Sequence, residues 1–140
     1  MTTYVITTAA IIFDAHGRVL LGRRSPKEDT VPGFWSLPAG KLESVGPASD
    51  VLEDNLKREL REEIGIEIKD IGYLDSHMWT DRDPPKITIV FTARVASGEP
   101  KPLDPQEVTD VSWWDIDEAI RLPLPPHVAR VLEKARTSGG

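Results

Sequence analysis

The chain has 140 residues, 17 Lys plus Arg against 23 Asp plus Glu, a formal charge of −6 at pH 7 and no cysteine. That length is one domain's worth, and with 39% apolar residues it can build a core without staples. Disulfides, thiol nucleophiles and cysteine-based zinc sites are excluded, and the acidic balance argues against a protein that coats a nucleic-acid polymer, a task that needs clustered Lys and Arg.

The N-terminus has no basic stretch followed by a long apolar segment, so no signal peptide is expected. The longest apolar run, Ala9 to Phe13, is far short of the roughly 20 residues a spanning helix requires. The expectation is a soluble cytoplasmic protein that does not engage a membrane. Tyr4 to Phe13 is β-branched or small and apolar, Asp14-Ala15-His16-Gly17 supplies turn chemistry, and Arg18 to Leu21 resumes the apolar pattern, which together read as a hairpin. Ser25 to Gly33 is a polar loop leading to a short extended piece, Trp35 to Gly40.

Asp50 to Ile64 carries the strongest helix signal. Leu52, Leu56, Leu60 and Ile64 recur four apart, Gly65 stands where a helix-ending glycine belongs, and Asp50 with Glu53 suits a capping box. Ile66 to Trp79 and Lys86 to Val95 read as strands, and a Pro-rich connection, Ser97 to Pro105, leads to a strand from Val108 to Trp114. Trp113 and Trp114 point to opposite faces of that strand, with one of them inside. Asp117 to Ile120 and His127 to Ala135 read as helical. The pattern predicts a single α/β domain with a mixed sheet over residues 1–136, and residues 137–140 as a frayed tail.

On a helical wheel Leu52, Leu56, Leu60 and Ile64 form one continuous apolar stripe. Glu59 and Glu63 fall beside Leu52, at the edge of that stripe rather than opposite it, and Glu62 lies further round on the same side. A solvated face would not put Glu59 and Glu63 there. They are also a like-charged i,i+4 pair, which costs an isolated helix roughly 0.2–0.5 kcal/mol. Three carboxylates, Glu59, Glu62 and Glu63, converging on one helical face beside an apolar layer make a hard-oxygen site for a divalent cation, for which magnesium is the natural occupant. The competing explanation is a wet helix whose glutamates are neutralised by Lys57, Arg58 and Arg61.

Gly40 and the run Arg58-Glu59-Leu60-Arg61-Glu62-Glu63-Ile64-Gly65-Ile66 resemble the signature box of the Nudix hydrolases, whose second half, Arg-Glu-apolar-x-Glu-Glu-x-Gly-apolar, is matched at every position. The likeness extends from about Tyr4 to the Trp113-Trp114 strand. Two departures stand out. Nine residues, rather than five, separate Gly40 from the next acidic position in register, and that position holds Asp50 in place of Glu. Ala39 also occupies a place where the family often has a second glycine.

The resemblance implies an α/β/α sandwich whose catalytic helix runs over about 50–64, followed by a C-terminal helix. It implies Mg2+, or Mn2+ in its stead, held by Glu59, Glu63 and the carbonyl of Gly40. Glu62 would be a further ligand or the group that activates water, and Arg58 would orient Glu59. The implied reaction is attack of water on a phosphorus of a diphosphate linkage, in a nucleoside diphosphate derivative or a nucleoside triphosphate. A glutamate outside the box often assists in relatives, and Glu107, just before the Val108 strand, is preferred to Glu99. Arg23 and Lys41 are candidate phosphate partners and Trp35 a candidate for stacking on a base, with Phe34 and Trp79 as others. His16, His77 and His127 form no spaced cluster. The partner is a small nucleotide, and a homodimer is left open. A Nudix-fold isomerase of isoprenoid diphosphates is disfavoured by the lack of cysteine. A binding module that has lost catalysis is the remaining alternative, although such modules tend to lose the box carboxylates kept here.

Overall fold

The computed structural model describes residues 2–27, 33–43 and 48–137. The Ser25–Phe34 loop and the lengthened 41–49 loop therefore fall partly outside the described residues, as do the last three residues of the expected tail. Thr137 itself closes the last helix.

Strand β1 (Val5–Phe13) is the spine of the sheet, fully buried from Thr7 onward. Its alternate residues enter two different cores. Ala9, Ile11 and Phe13 join one cluster with Leu21, Val90, Val128 and Leu132, while Ala10 and Ile12 join another with Leu20, Leu56, Leu60 and Ile64. A strand covered on both faces reads as a continuous apolar run, which is what Ala9 to Phe13 shows. Burying Ile11 and Ile12 completely contributes roughly 1.5–3 kcal/mol each.

The remaining strands are β2 (Val19–Arg24), β3 (Trp35–Ser36), β4 (Ala39–Lys41), β5 (Glu67–Trp79), β6 (Lys86–Ser97) and β7 (Val108–Trp114). They form one mixed sheet in the order β3-β2-β1-β6-β5, with β1 and β6 parallel, β4 paired to β1 and β7 paired to β2. Helix α1 (Val51–Glu63) covers one face. The other is covered by α2 (Ile116–Ile120) and α3 (Pro126–Thr137). Trp113 and Trp114 do point apart, but neither is the single interior one: Trp113 packs on the α1-side core and Trp114 on the α3-side core, because both faces are covered.

Two local features position the site. Strands β1 and β2 pair only at Phe13 with Val19, after which β4 takes over beside β1 and β3 and β7 beside β2. The sheet thus splays open near Gly40. The expected capping box at Asp50 does not form. Asp50 adopts a left-handed conformation (φ 55) and its side chain makes no cap bond, since a capping oxygen reaches the first-turn N–H groups only from an extended N-cap.

Candidate functional site

Helix α1 presents Asn55, Glu59 and Glu63 four apart on one ridge, and all three are buried. Asn55 Nδ2 donates to Thr8 Oγ1 at 2.9 Å, tying the ridge to β1. Arg58 NH2 donates to Asn55 Oδ1 at 2.8 Å and to Glu59 Oε1 at 3.0 Å, while NH1 reaches Glu62 Oε2 at 3.1 Å and Glu43 Oε1 at 3.6 Å. Burial opposes the Arg58 charge, but the carboxylates of Glu59, Glu43 and Glu62 outweigh it and raise its pKa further. Glu59 is only 9% exposed and lies against Gly40, where a Cβ would stand 2.2 Å from its Cδ.

The end of the helix brings in the acids from outside the box. Gly65 (φ 80) reverses the chain, and its N–H bonds to Leu60 O at 2.8 Å. The last carbonyls of the helix region then receive the Pro-rich connection: Lys101 N donates to Ile64 O at 2.9 Å and Leu103 N to Glu63 O at 2.8 Å. A turn closed by Glu107 N and Val108 N on Asp104 O follows, at 3.0 and 2.9 Å. Asp104, Glu107 and Glu63 consequently place carboxylate oxygens within 4.8 Å of one another. Burial, reinforced by hydrogen bonds and charge repulsion from Glu107 and Glu59, pushes the Glu63 carboxyl up to about 11.

That donor set suits a hard divalent cation. It is all oxygen, its Glu63 carboxylate is nearly removed from water, and the acids are held close at an electrostatic cost that a cation would reverse. The bare backbone of Gly40 leaves the room in which the Glu59 carboxylate sits.

The splayed strands open a cleft of about 270 Å³ beside these acids. Of the residues singled out in the sequence, Gly40, Lys41, Glu59, Trp79 and Glu107 line it. Other candidates lie elsewhere. Glu62 is 60% exposed and engaged by Arg58. Arg23 is exposed, its Nε bonded to Gly33 O at 3.2 Å, and it is the next residue, Arg24, that reaches the cleft. Trp35 packs edge-on against Trp114, ring centres 5.6 Å apart, among core residues. The histidines, expected to be scattered, include a contacting pair: His77 stacks on His127 at 4.9 Å and both meet Trp79 edge-on. Burial, aided by His77, Lys86 and Arg130, lowers His127 to about 4, so it is neutral at pH 7.

Two members of the site escaped sequence reasoning. Asn55 lies on the same i,i+4 ridge as Glu59 and Glu63, and a polar residue in that row was a readable signal. Asp104 had no comparable signal, because its place depends on how the connection docks on the helix end.

The NUDIX domain family model matches residues 3–135. Solved structures of the same shape include the NUDIX domain of Shewanella oneidensis NrtR complexed with ADP ribose (TM-score 0.81, 26% identity, covering 100% of this chain and 91% of that one). Another is a MutT NUDIX hydrolase from Burkholderia pseudomallei (TM-score 0.79, 28% identity, covering 94% of this chain and 98% of that one). Among curated relatives, the NAD-capped RNA hydrolase NudC of Chromobacterium violaceum is 33% identical over 127 residues, 91% of this chain and 44% of its own length. The chain spans less than half the length of that relative. It belongs to the Nudix hydrolase family, and its fold is the mixed-sheet α/β architecture of that family. Among the described residues, no helix is long and apolar enough to cross a membrane.

Proposed function

We propose that this chain is a Mg2+-dependent hydrolase of the diphosphate linkage in a nucleoside diphosphate derivative or nucleoside triphosphate. The observation that carries the reading is the pair of nearly buried glutamates, Glu59 and Glu63, 9% and 8% exposed: Glu63 meets Asp104 and Glu107 from another segment, and Glu59 and Glu107 line the cleft. Glu59, Glu63 and the Gly40 carbonyl would hold the metal, with Mn2+ as an alternative. When bound, it would neutralise phosphate oxygens and lower the pKa of water. Arg58 fixes the Glu59 carboxylate, and Glu62 and Glu43 in turn fix Arg58. Lys41 and Arg24 face the phosphates from the cleft wall, and Glu107 takes the proton of the attacking water. The ADP ribose bound by the NrtR domain and the NAD-capped substrate in the NudC name favour substrates with two groups joined through a diphosphate.

A binding module with the same fold is the second reading, and the retained carboxylates argue against it. A panel of nucleoside diphosphate derivatives and triphosphates, assayed with Mg2+ and with Mn2+, tests both. Turnover lost by about 100-fold or more in Glu63→Gln supports the hydrolase, since even partners behind a metal ligand are worth 10–100-fold. Tight binding without turnover of any compound supports the module.

A further inference from the structure

The cleft has a second end that diphosphate hydrolysis does not require. In the sheet register Lys41 lies opposite Thr7, Thr7 opposite Thr88, and Thr88 opposite His77, so four polar side chains form one row across β4, β1, β6 and β5. Register partners face the same side of a sheet. The next row on that face begins Ala39, Ala9 and Val90, which is ordinary core. Thr7 is 7% exposed and belongs to the cleft wall, and its buried Oγ1 has no hydrogen-bond partner. An orphaned buried hydroxyl destabilises the fold unless something enters to meet it, and it is the observation that points to a ligand.

The groups around it are donors. Lys86, 8% exposed and also in the cleft wall, has its ammonium 5.1 Å from the centre of the Trp79 ring. Trp79 Nε1 donates to Thr88 Oγ1 at 3.0 Å, which orients the indole and leaves the Thr88 hydroxyl proton for donation. His127 and Val128, in the first turn of α3, close the wall with the positive end of that helix.

We propose that Thr7, Lys86, Thr88 and His127 form a second anion subsite, which takes a phosphate monoester carried by the half of the substrate beyond the scissile diphosphate. An ammonium with two hydroxyls suits the oxygens of a phosphate monoester, and Trp79 acts as a positioning residue that holds Lys86 and Thr88 in place. The placement within a substrate rests on the hydrolase reading above, but the subsite itself can be tested without turnover.

The experiment measures binding of ribose 5-phosphate to the full chain in excess EDTA by calorimetry, with ribose as the uncharged control. Without metal the acidic end of the cleft repels the probe, so binding reports the subsite. Saturable binding of ribose 5-phosphate but not ribose is expected, weakened about tenfold or more in Lys86→Met and several-fold in Thr7→Val, and unchanged in Lys69→Met. Thr7→Val should also keep or raise Tm, because it removes an unpaired hydroxyl from a buried place. Equal binding by all variants, no binding by the wild type, or a Tm loss in Thr7→Val would each overturn the proposal.

Discussion

The carboxylate of Glu59 occupies the volume that a side chain at residue 40 would need: a Cβ on Gly40 would lie 2.2 Å from Glu59 Cδ and 2.4 Å from Oε2. Gly40→Ala must therefore move either β4 or the head of Glu59. Because β4 is pinned to β1 at Thr7, Thr8 and Ala9, the side chain gives way, and Arg58 loses its nearest carboxylate. Hydrolysis should fall by about 100-fold, as for the loss of a metal ligand's support. The fold should persist, with a stability loss of about 1–3 kcal/mol from overpacking. Parallel measurement of turnover and thermal unfolding checks both; an active, stable Gly40→Ala enzyme would remove Gly40 from the site.

Glu63→Gln should separate stability from activity. Its carboxyl, pushed up to about 11 by burial and by Glu107 and Glu59, is raised above its unfolded value. The favourable contribution is complete below about pH 4.5 and fades as pH rises toward 11, because the unfolded chain releases the proton first. Without divalent metal, the wild type should therefore lose stability between about pH 5 and 9 relative to Glu63→Gln, whose amide has no proton to lose. Adding Mg2+ should stabilise the wild type and leave the variant little changed. Thermal melts across that pH range, with EDTA and with Mg2+, give the comparison.

Arg58 contacts Asn55, Glu59, Glu62 and Glu43 with one guanidinium. A lysine supplies the charge but not the fork that serves two acceptors on different turns. Arg58→Lys should weaken metal affinity roughly 10–100-fold, as changes behind a metal ligand typically do. Thermal stability should change by less than about 1 kcal/mol, since the Glu62 and Glu43 ends of the network are solvent-exposed. Mn2+ titration followed by electron paramagnetic resonance measures the affinity directly.

What the sequence makes legible follows from the range of the interactions. Helix α1 and its buried glutamates are written in a local helical period, so Glu59 and Glu63 stand out against the apolar stripe before any fold is known. Glu62, read from the sequence as a third converging carboxylate, instead faces solvent and pairs with Arg58, because it lies further round the helix than Glu59 and Glu63. Arg23 and Trp35 show the limit of such reading. Strand alternation says that Arg23 and Arg24 face opposite ways, yet which of them meets the cleft depends on β2 pairing with β3 and β7. Trp35 is core because Trp114, seventy-nine positions away in sequence, comes to lie beside it. The His77–His127 contact likewise joins the end of β5 to the start of α3, a pairing with no local signature.

That docking of α3 on β5 is held by a second contact with its own pH dependence. Asp75 in β5 is 7% exposed, and it accepts hydrogen bonds from Arg130, as an ion pair, and from Lys134 at 3.1 Å. Burial works against the Asp75 charge, but the two cations outweigh it and hold its carboxyl below the usual range. A carboxyl depressed in the folded state contributes stability that is present above its unfolded pKa of about 3.9 and is lost as pH falls below it. Asp75→Asn should thus cost about 1 kcal/mol at pH 7, a figure kept small because Arg130 and Lys134 are about half exposed. The difference between variant and wild type should shrink below about pH 4. Because α3 also carries His127 and Val128 into the cleft wall, hydrogen exchange in Asp75→Asn should rise first in α3 and leave the protection of α1 unchanged. Uniform loss of protection would instead mean that the two faces of the sheet unfold as one unit.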